Sequence, residues 1–133
     1  MVNIFFLIAA TFNGLFYSPP APSDGSKIPL LVLPHGGPHS AIANSFSFDV
    51  AYFNALGFAV LMVNYRGSLG CGQKFVDFLL GKIGGSDVSD MHTAVLTTLK
   101  EYTYLDENKV VVYGGSHGGF LSVHLTAQYP VSS

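Results

Sequence analysis

Tryptophan is absent from this 133-residue sequence, cysteine occurs once, and charged side chains make up only 11%, less than half the roughly 25% of an ordinary soluble domain. Cys71 cannot close an intrachain disulfide and stands in no zinc or redox spacing, so neither a disulfide scaffold nor a metal site is expected. No cofactor motif is present either. Six Lys and Arg stand singly against eight Asp and Glu, a net charge of −2. With no basic stripe to neutralise phosphates, nucleic-acid binding is excluded. Low charge with high apolar content also excludes disorder. No apolar run approaches the ~20 residues that a membrane-spanning helix requires. Ile4–Ala10 (IFFLIAA) has the length of a signal-peptide core, but no Lys or Arg precedes it. Residues 1–11 are therefore read as an apolar leader, either a buried strand or an irregular segment, and a cytoplasmic location is expected.

What the chain has instead is core. The apolar share is 49%, with eleven Phe, seven Tyr and fifteen Gly. A domain of this size buries only about two thirds of the surface its unfolded chain exposes, and these residues barely supply the polar exterior. The composition suggests a part of something larger.

Turn signals divide the chain into alternating segments. Phe12–Tyr17 is a short apolar run closed by the loop Ser18–Gly25. Ile28–Leu33 (IPLLVL) and Phe58–Val63 (FAVLMV) are continuous apolar runs of strand length, the pattern of strands buried on both faces. Between them, Ser45–Leu56 places Phe46, Val50 and Phe53 near helical spacing and stops at Gly57. Asn64–Gly72 is a glycine-rich loop, Gln73–Leu80 a short helix, and Gly84-Gly85 a break. Ser86 or Asp87 then caps a helix with Val88, Met91, Val95, Leu99 and Tyr102 on one stripe. Asp106-Glu107-Asn108 reads as a turn, Lys109–Tyr113 as a strand, and a last helix runs to about Tyr129. Apolar strands alternating with helices predict an α/β fold, a mostly parallel sheet with helices on both faces.

Chemistry concentrates at two places. Gly114-Gly115-Ser116-His117-Gly118 satisfies G-x-S-x-G directly after an apolar strand and before a helix, the setting of a nucleophile elbow. Ser116 is the candidate nucleophile, and Gly114, Gly118 and Gly119 permit the tight turn. His35-Gly36-Gly37-Pro38 follows an earlier apolar strand, where acyl transfer needs a second N–H donor for the developing oxyanion. The amides of Gly37 and His117 are the expected oxyanion hole, with Gly36 competing for the first place. His35 can brace the loop through its ring. Arg66 is expected to fix the 64–72 loop by pairing with a carboxylate or backbone carbonyls, Asp87 and Asp90 to serve as helix cap and first-turn charge, and Tyr65 to pack or to line the site.

Leu33–Ser40, Gly57–Leu61, Asn64–Gly72, Asp87–Asp90 and Gly114–Phe120, in that order, resemble the catalytic domain of the acylaminoacyl peptidases in the prolyl oligopeptidase family of serine peptidases. The resemblance runs from Phe12 to Pro130 and places a partial catalytic domain at residues 12–133. It implies an α/β-hydrolase fold, Ser116 as nucleophile, an N-acylated peptide as substrate, and release of an N-acylated amino acid. In that family a β-propeller precedes the hydrolase, and nothing in these residues could form one.

One absence bears directly on activity. A serine nucleophile needs a base and a carboxylate, which in α/β-hydrolases follow it in sequence, and no Asp or Glu occurs after Ser116. His124, eight positions on, would lie about 12 Å along the helix axis. His92 reads as a core-edge residue, while His35 and His39 are weak substitutes for the base. The expected fold is thus an α/β-hydrolase truncated after the nucleophile helix, leaving Lys109–Tyr113 as an open edge prone to oligomerise or aggregate. Three readings stay open: a piece of an acylaminoacyl peptidase inactive by itself, another α/β-hydrolase such as a carboxylesterase, or a non-catalytic product.

Overall fold

A computed structural model of the chain describes residues 3–130. Five strands and four helices run in the order β1 (Asn3–Ile8), β2 (Asn13–Ser18), β3 (Ile28–Val32), α1 (Phe48–Ala55), β4 (Ala59–Asn64), α2 (Gln73–Asp77), α3 (Ser86–Glu101), β5 (Leu105–Val112) and α4 (His117–Gln128). The strands form one sheet in the order β1-β2-β4-β3-β5. β3 is parallel to both β4 and β5, whereas β1 is antiparallel to β2 and β2 to β4. The sheet is therefore mixed rather than mostly parallel. The β1–β2 connection of four residues is too short for the crossover that parallel pairing needs.

Alternation along the inner strands explains their unbroken apolar runs. Phe16, Leu30, Val32, Ala59, Leu61 and Val63 face Val88, Met91 and Ala94 of α3 and Leu121 and Leu125 of α4. Leu15, Tyr17, Leu31 and Val60 face the opposite way and pack with Val50 of α1. Helices thus cover both faces, and a strand between two covered faces has no polar side to show.

Several local expectations are corrected. Of the two readings of the leader the strand holds over Asn3–Ile8, but not its burial: β1 pairs residue by residue with β2, Phe5 packs on Phe16 and Tyr102, and Ile4 and Phe6 are exposed at the sheet edge. Phe46 lies outside α1 and is exposed, because the Ser47 hydroxyl accepts from the Val50 amide and starts the helix there. Asp106–Asn108 is part of β5, not a turn between elements. The Asp106 carboxylate accepts from the Asn108 amide, and the pairing with β3 shifts register between Ile28 and Leu30, a bulge that absorbs the turn-forming residues. Neither Ser86 nor Asp87 is the N-cap of α3; that position is Gly85, with Asp87 inside the first turn. Among the described residues no helix is long and apolar enough to cross a membrane.

The edge at β5 carries Val111, 45% exposed, paired with Leu31 on its inner side. An exposed apolar edge strand is a template for association. Val111→Lys is expected to raise the monomer fraction on size-exclusion chromatography while changing the urea-unfolding free energy by no more than about 0.5 kcal/mol.

Candidate active site

The chain leaves β3, crosses over to β4, and returns past β3 to β5, so the loops after β3 and β5 diverge across adjacent parallel strands. A crevice outside the carboxyl ends of strands at such a reversal is where α/β sheets place their sites. The loop after β3 is the HGGP segment and the one after β5 is the elbow.

Ser116 is exposed at φ 55°, ψ −128°, and among the described residues it is the sole non-glycine at positive φ. Such a conformation costs about 1–3 kcal/mol and persists only where the surroundings over-determine it. Those surroundings are main chain. A Cβ on Gly118 would run into the carbonyl oxygen of Pro34, and one on Gly114 would lie 2.7 Å from the carbonyl carbon of Gly118 and 3.0 Å from the Pro34 oxygen. At Gly119 the nearest atom is the Gly114 oxygen at 3.1 Å, whereas a Cβ on Gly115 meets nothing within 4 Å. The three constrained positions are the glycines assigned to the turn from the sequence, and the open one, Gly115, fills the variable place of G-x-S-x-G.

Gly36 brings the other loop against Ser116, its Cβ position lying 3.4 Å from Ser116 Cβ and 3.9 Å from Oγ. Gly37 sits at φ 131°, where a side chain would be driven onto the His39 amide, 2.7 Å away. The His35 ring fixes the peptide between them. Its Nδ1 donates to the Gly36 carbonyl at 2.7 Å, and its Nε2 accepts from the buried Ser68 hydroxyl at 2.8 Å. In a trans peptide the N–H points opposite to the C=O, so the Gly37 amide is turned away from the imidazole. Among the described residues it has no main-chain acceptor. His117, the first residue of α4, has an amide with no intrahelical partner and stands at the positive end of that helix. The site thus holds two free donors, and Gly36 contributes proximity.

Behind these loops lies a buried polar layer. Tyr65 is fully buried, stacks on His35 at 4.4 Å, and donates its hydroxyl to the His35 carbonyl at 3.0 Å. Burial, and then the charge of Asp87, push its phenol well above the ordinary value. Arg66 pairs bidentately with Asp90, Nε–Oδ2 2.8 Å and Nη2–Oδ1 2.7 Å, and its own amide bonds the same carboxylate. This pairing holds the guanidinium above its ordinary pKa. The Phe78 ring carries both Arg66 and Lys82, at 4.2 and 3.7 Å. Asp87 is fully buried and receives His117 Nε2 at 3.0 Å. Asp87 and Ser68 belong to the site's support although neither motif contains them. Asp87 and His117 lie 30 residues apart with nothing in the sequence to link them.

Among the described residues no histidine is hydrogen-bonded to Ser116. His39 Nδ1 is bonded to the Gly67 carbonyl, His92 stacks on Tyr129, and His124 is bonded to Gln128 farther along α4. Both His35 nitrogens are engaged, and His117 turns to Asp87. Among the described residues no cluster of His, Cys, Asp or Glu could hold a metal ion.

Residues 44–131 match the prolyl oligopeptidase family. The chain is 45% identical over 119 residues to the acylamino-acid-releasing enzyme of Rattus norvegicus, a match covering 90% of the chain and 16% of that relative. Among solved structures it is similar to a puromycin hydrolase, with 34% identity and a TM-score of 0.84 over 98% of the chain and 21% of that protein. The acylaminoacyl peptidase of Pyrococcus horikoshii superposes with a TM-score of 0.88 over 98% of the chain and 21% of its own, at 23% identity, which speaks for the fold alone. The architecture is that of the α/β-hydrolases. The chain spans about a sixth of the length of the curated relatives it matches.

Two expectations follow from this geometry. Gly118→Ala, facing the Pro34 main chain, is expected to destabilise by about 3 kcal/mol or more, while Gly115→Ala stays within about 1 kcal/mol; urea denaturation of both variants checks the contrast. Burial holds the His35 imidazole below its ordinary value, with the nearby His117 adding to the effect, against the upward pull of its bond to Gly36. A neutral ring favoured in the folded state contributes stability above the unfolded value of about 6.5, lost as pH falls below it. Unfolding free energy is therefore expected to drop from pH 7 to pH 5, and less steeply in His35→Gln.

Proposed function

The chain belongs to the prolyl oligopeptidase family, and from that premise we propose that it carries the nucleophile and oxyanion hole of a serine hydrolase that releases N-acylated amino acids from blocked peptides. The observation that carries this reading is the meeting of two loops at one point: the strained Ser116 with Gly36 against its Cβ. Its relatives named as acylamino-acid-releasing enzymes support the substrate class. A cytoplasmic location fits the same reading.

The chemistry needs no cofactor. Ser116 Oγ attacks the carbonyl carbon of the acylated residue and its proton passes to a base. The carbonyl oxygen becomes an oxyanion held by the Gly37 and His117 amides. The C–N bond breaks as the base returns the proton to the leaving amine, and water then cleaves the acyl-serine by the reverse sequence. The base and its carboxylate come from outside residues 3–130 on this reading, so the 133-residue chain does not turn over by itself.

An added base makes the site testable. With imidazole present and an activated ester, Oγ can be acylated, and without a resident base the acyl group is retained. Peptide mass mapping after incubation with N-acetyl-alanine p-nitrophenyl ester is expected to place the acyl group on Ser116, at least tenfold faster than butyrate from p-nitrophenyl butyrate. Faster transfer from the butyrate ester would favour a carboxylesterase. Steady cleavage of acetyl-alanine p-nitroanilide without imidazole, abolished by Ser116→Ala, would overturn the placement of the base outside these residues.

A further inference from the structure

We infer that Asp87 is a positioning residue of the oxyanion hole, fixing the His117 main-chain N–H by holding that residue's imidazole; this rests on Ser116 being the nucleophile. Asp87 sits in the first turn of α3 with no exposed surface. One carboxylate oxygen, Oδ1, accepts the Gly84 amide at 2.8 Å and the Val88 amide at 3.0 Å. That oxygen alone accounts for the local role at the helix start. The second, Oδ2, points away from the helix and accepts a hydrogen bond from His117 Nε2 at 3.0 Å, across 30 residues of sequence.

The target of that bond matters. His117 follows a serine held at φ 55°, and the strained turn transmits any rotation of residue 117 to its amide. The His117 side chain is 10% exposed and lies against the rings of Tyr65 and Phe120, at 5.9 and 5.2 Å. Packing alone leaves the ring free to slide, whereas the bond to Asp87 fixes its far end. An ionised carboxylate can only accept, so Nε2 carries the proton. The bond then survives whether the ring is neutral or doubly protonated.

This gives a signature that a packing role lacks. In Asp87→Asn, Oδ1 keeps both amides, but an Nδ2 donor faces Nε2, and the tether persists only while Nε2 is unprotonated. The other titratable groups facing His117 are Tyr65 in the loop after β4 and His35 in the loop after β3, with the Arg66–Asp90 pair one turn along α3 from Asp87. None of them bonds its ring among the described residues.

The test measures imidazole-assisted acylation of Ser116 in the 133-residue chain, using N-acetyl-alanine p-nitrophenyl ester from pH 8 to pH 5. Each variant is expressed as a ratio to wild type at the same pH, so that protonation of the added base cancels. Asp87→Asn is expected near unity where Nε2 is unprotonated and about tenfold lower where Nε2 carries a proton, the state of the ring being read from its own NMR resonances at each pH. Asp87→Ala is expected about tenfold lower throughout, less than the 10²–10³ that outright loss of an oxyanion donor costs. In both, the final acylated fraction should stay at the wild-type level; unfolding would lower that fraction instead of the rate. Ratios near unity at every pH for both variants overturn the inference. The NMR shift of the His117 main-chain amide is followed alongside. If wild-type Ser116 takes up no acyl group, the catalytic reading falls and this shift decides the positioning claim. It must move in Asp87→Ala at all pH and in Asp87→Asn only where Nε2 carries a proton, and a shift equal to wild type in both overturns it.

Discussion

The structure depends on one close approach of main chain to main chain. Where α4 begins, Gly118 presses on the carbonyl of Pro34, and Gly114 is pinched between that carbonyl and Gly118 itself. No side chain mediates the contact. It joins the end of β5 to the end of β3 at a separation that only hydrogen on Cα allows, and so sets how far the serine stands from the glycine loop. A site built this way is positioned by the sheet, whose β3–β5 pairing extends to the bond from the Tyr113 amide to the Val32 carbonyl.

Around that contact the polar groups divide the work. His35, Tyr65 and Ser68 lock the first loop from behind, Asp87 holds the His117 ring, and the Arg66–Asp90 pair anchors the loop after β4 to α3. The bonds of Ser68 to His35, Tyr65 to the His35 carbonyl, His117 to Asp87 and Arg66 to Asp90 each join two different segments. In a low-dielectric interior these bonds are worth making only as a complete set, because an unpaired member is costly. The low charge of the chain is thus spent on internal fixing: of the few acidic residues, two are buried at the base of the site.

Much of this was legible in the sequence, for identifiable reasons. Ile28–Leu33 and Phe58–Val63 announce themselves because a strand covered on both faces must be apolar throughout. The elbow is legible because its G-x-S-x-G spacing is complete within five residues directly after an apolar strand, although the main chain that Gly118 meets belongs to Pro34. What the sequence hides is non-local. Nothing in IFFLIAA says that it pairs with Asn13–Ser18 and leaves Phe6 exposed, and the turn-forming Asp106-Glu107-Asn108 gives no sign that a bulge will keep it in β5. The Asp87–His117 bond is beyond local reading altogether, since each residue has a sufficient local explanation, helix start for one and elbow for the other.

The empty space over Gly115 has a corollary for divergence. Its neighbours on the elbow are locked by contacts of 3.1 Å or less, yet a methyl group there touches nothing within 4 Å. This position stands beside the exposed Ser116 without bearing on strand, helix or the loop after β3. It is where a lineage can add bulk beside Ser116 while the main-chain contacts beneath stay unchanged.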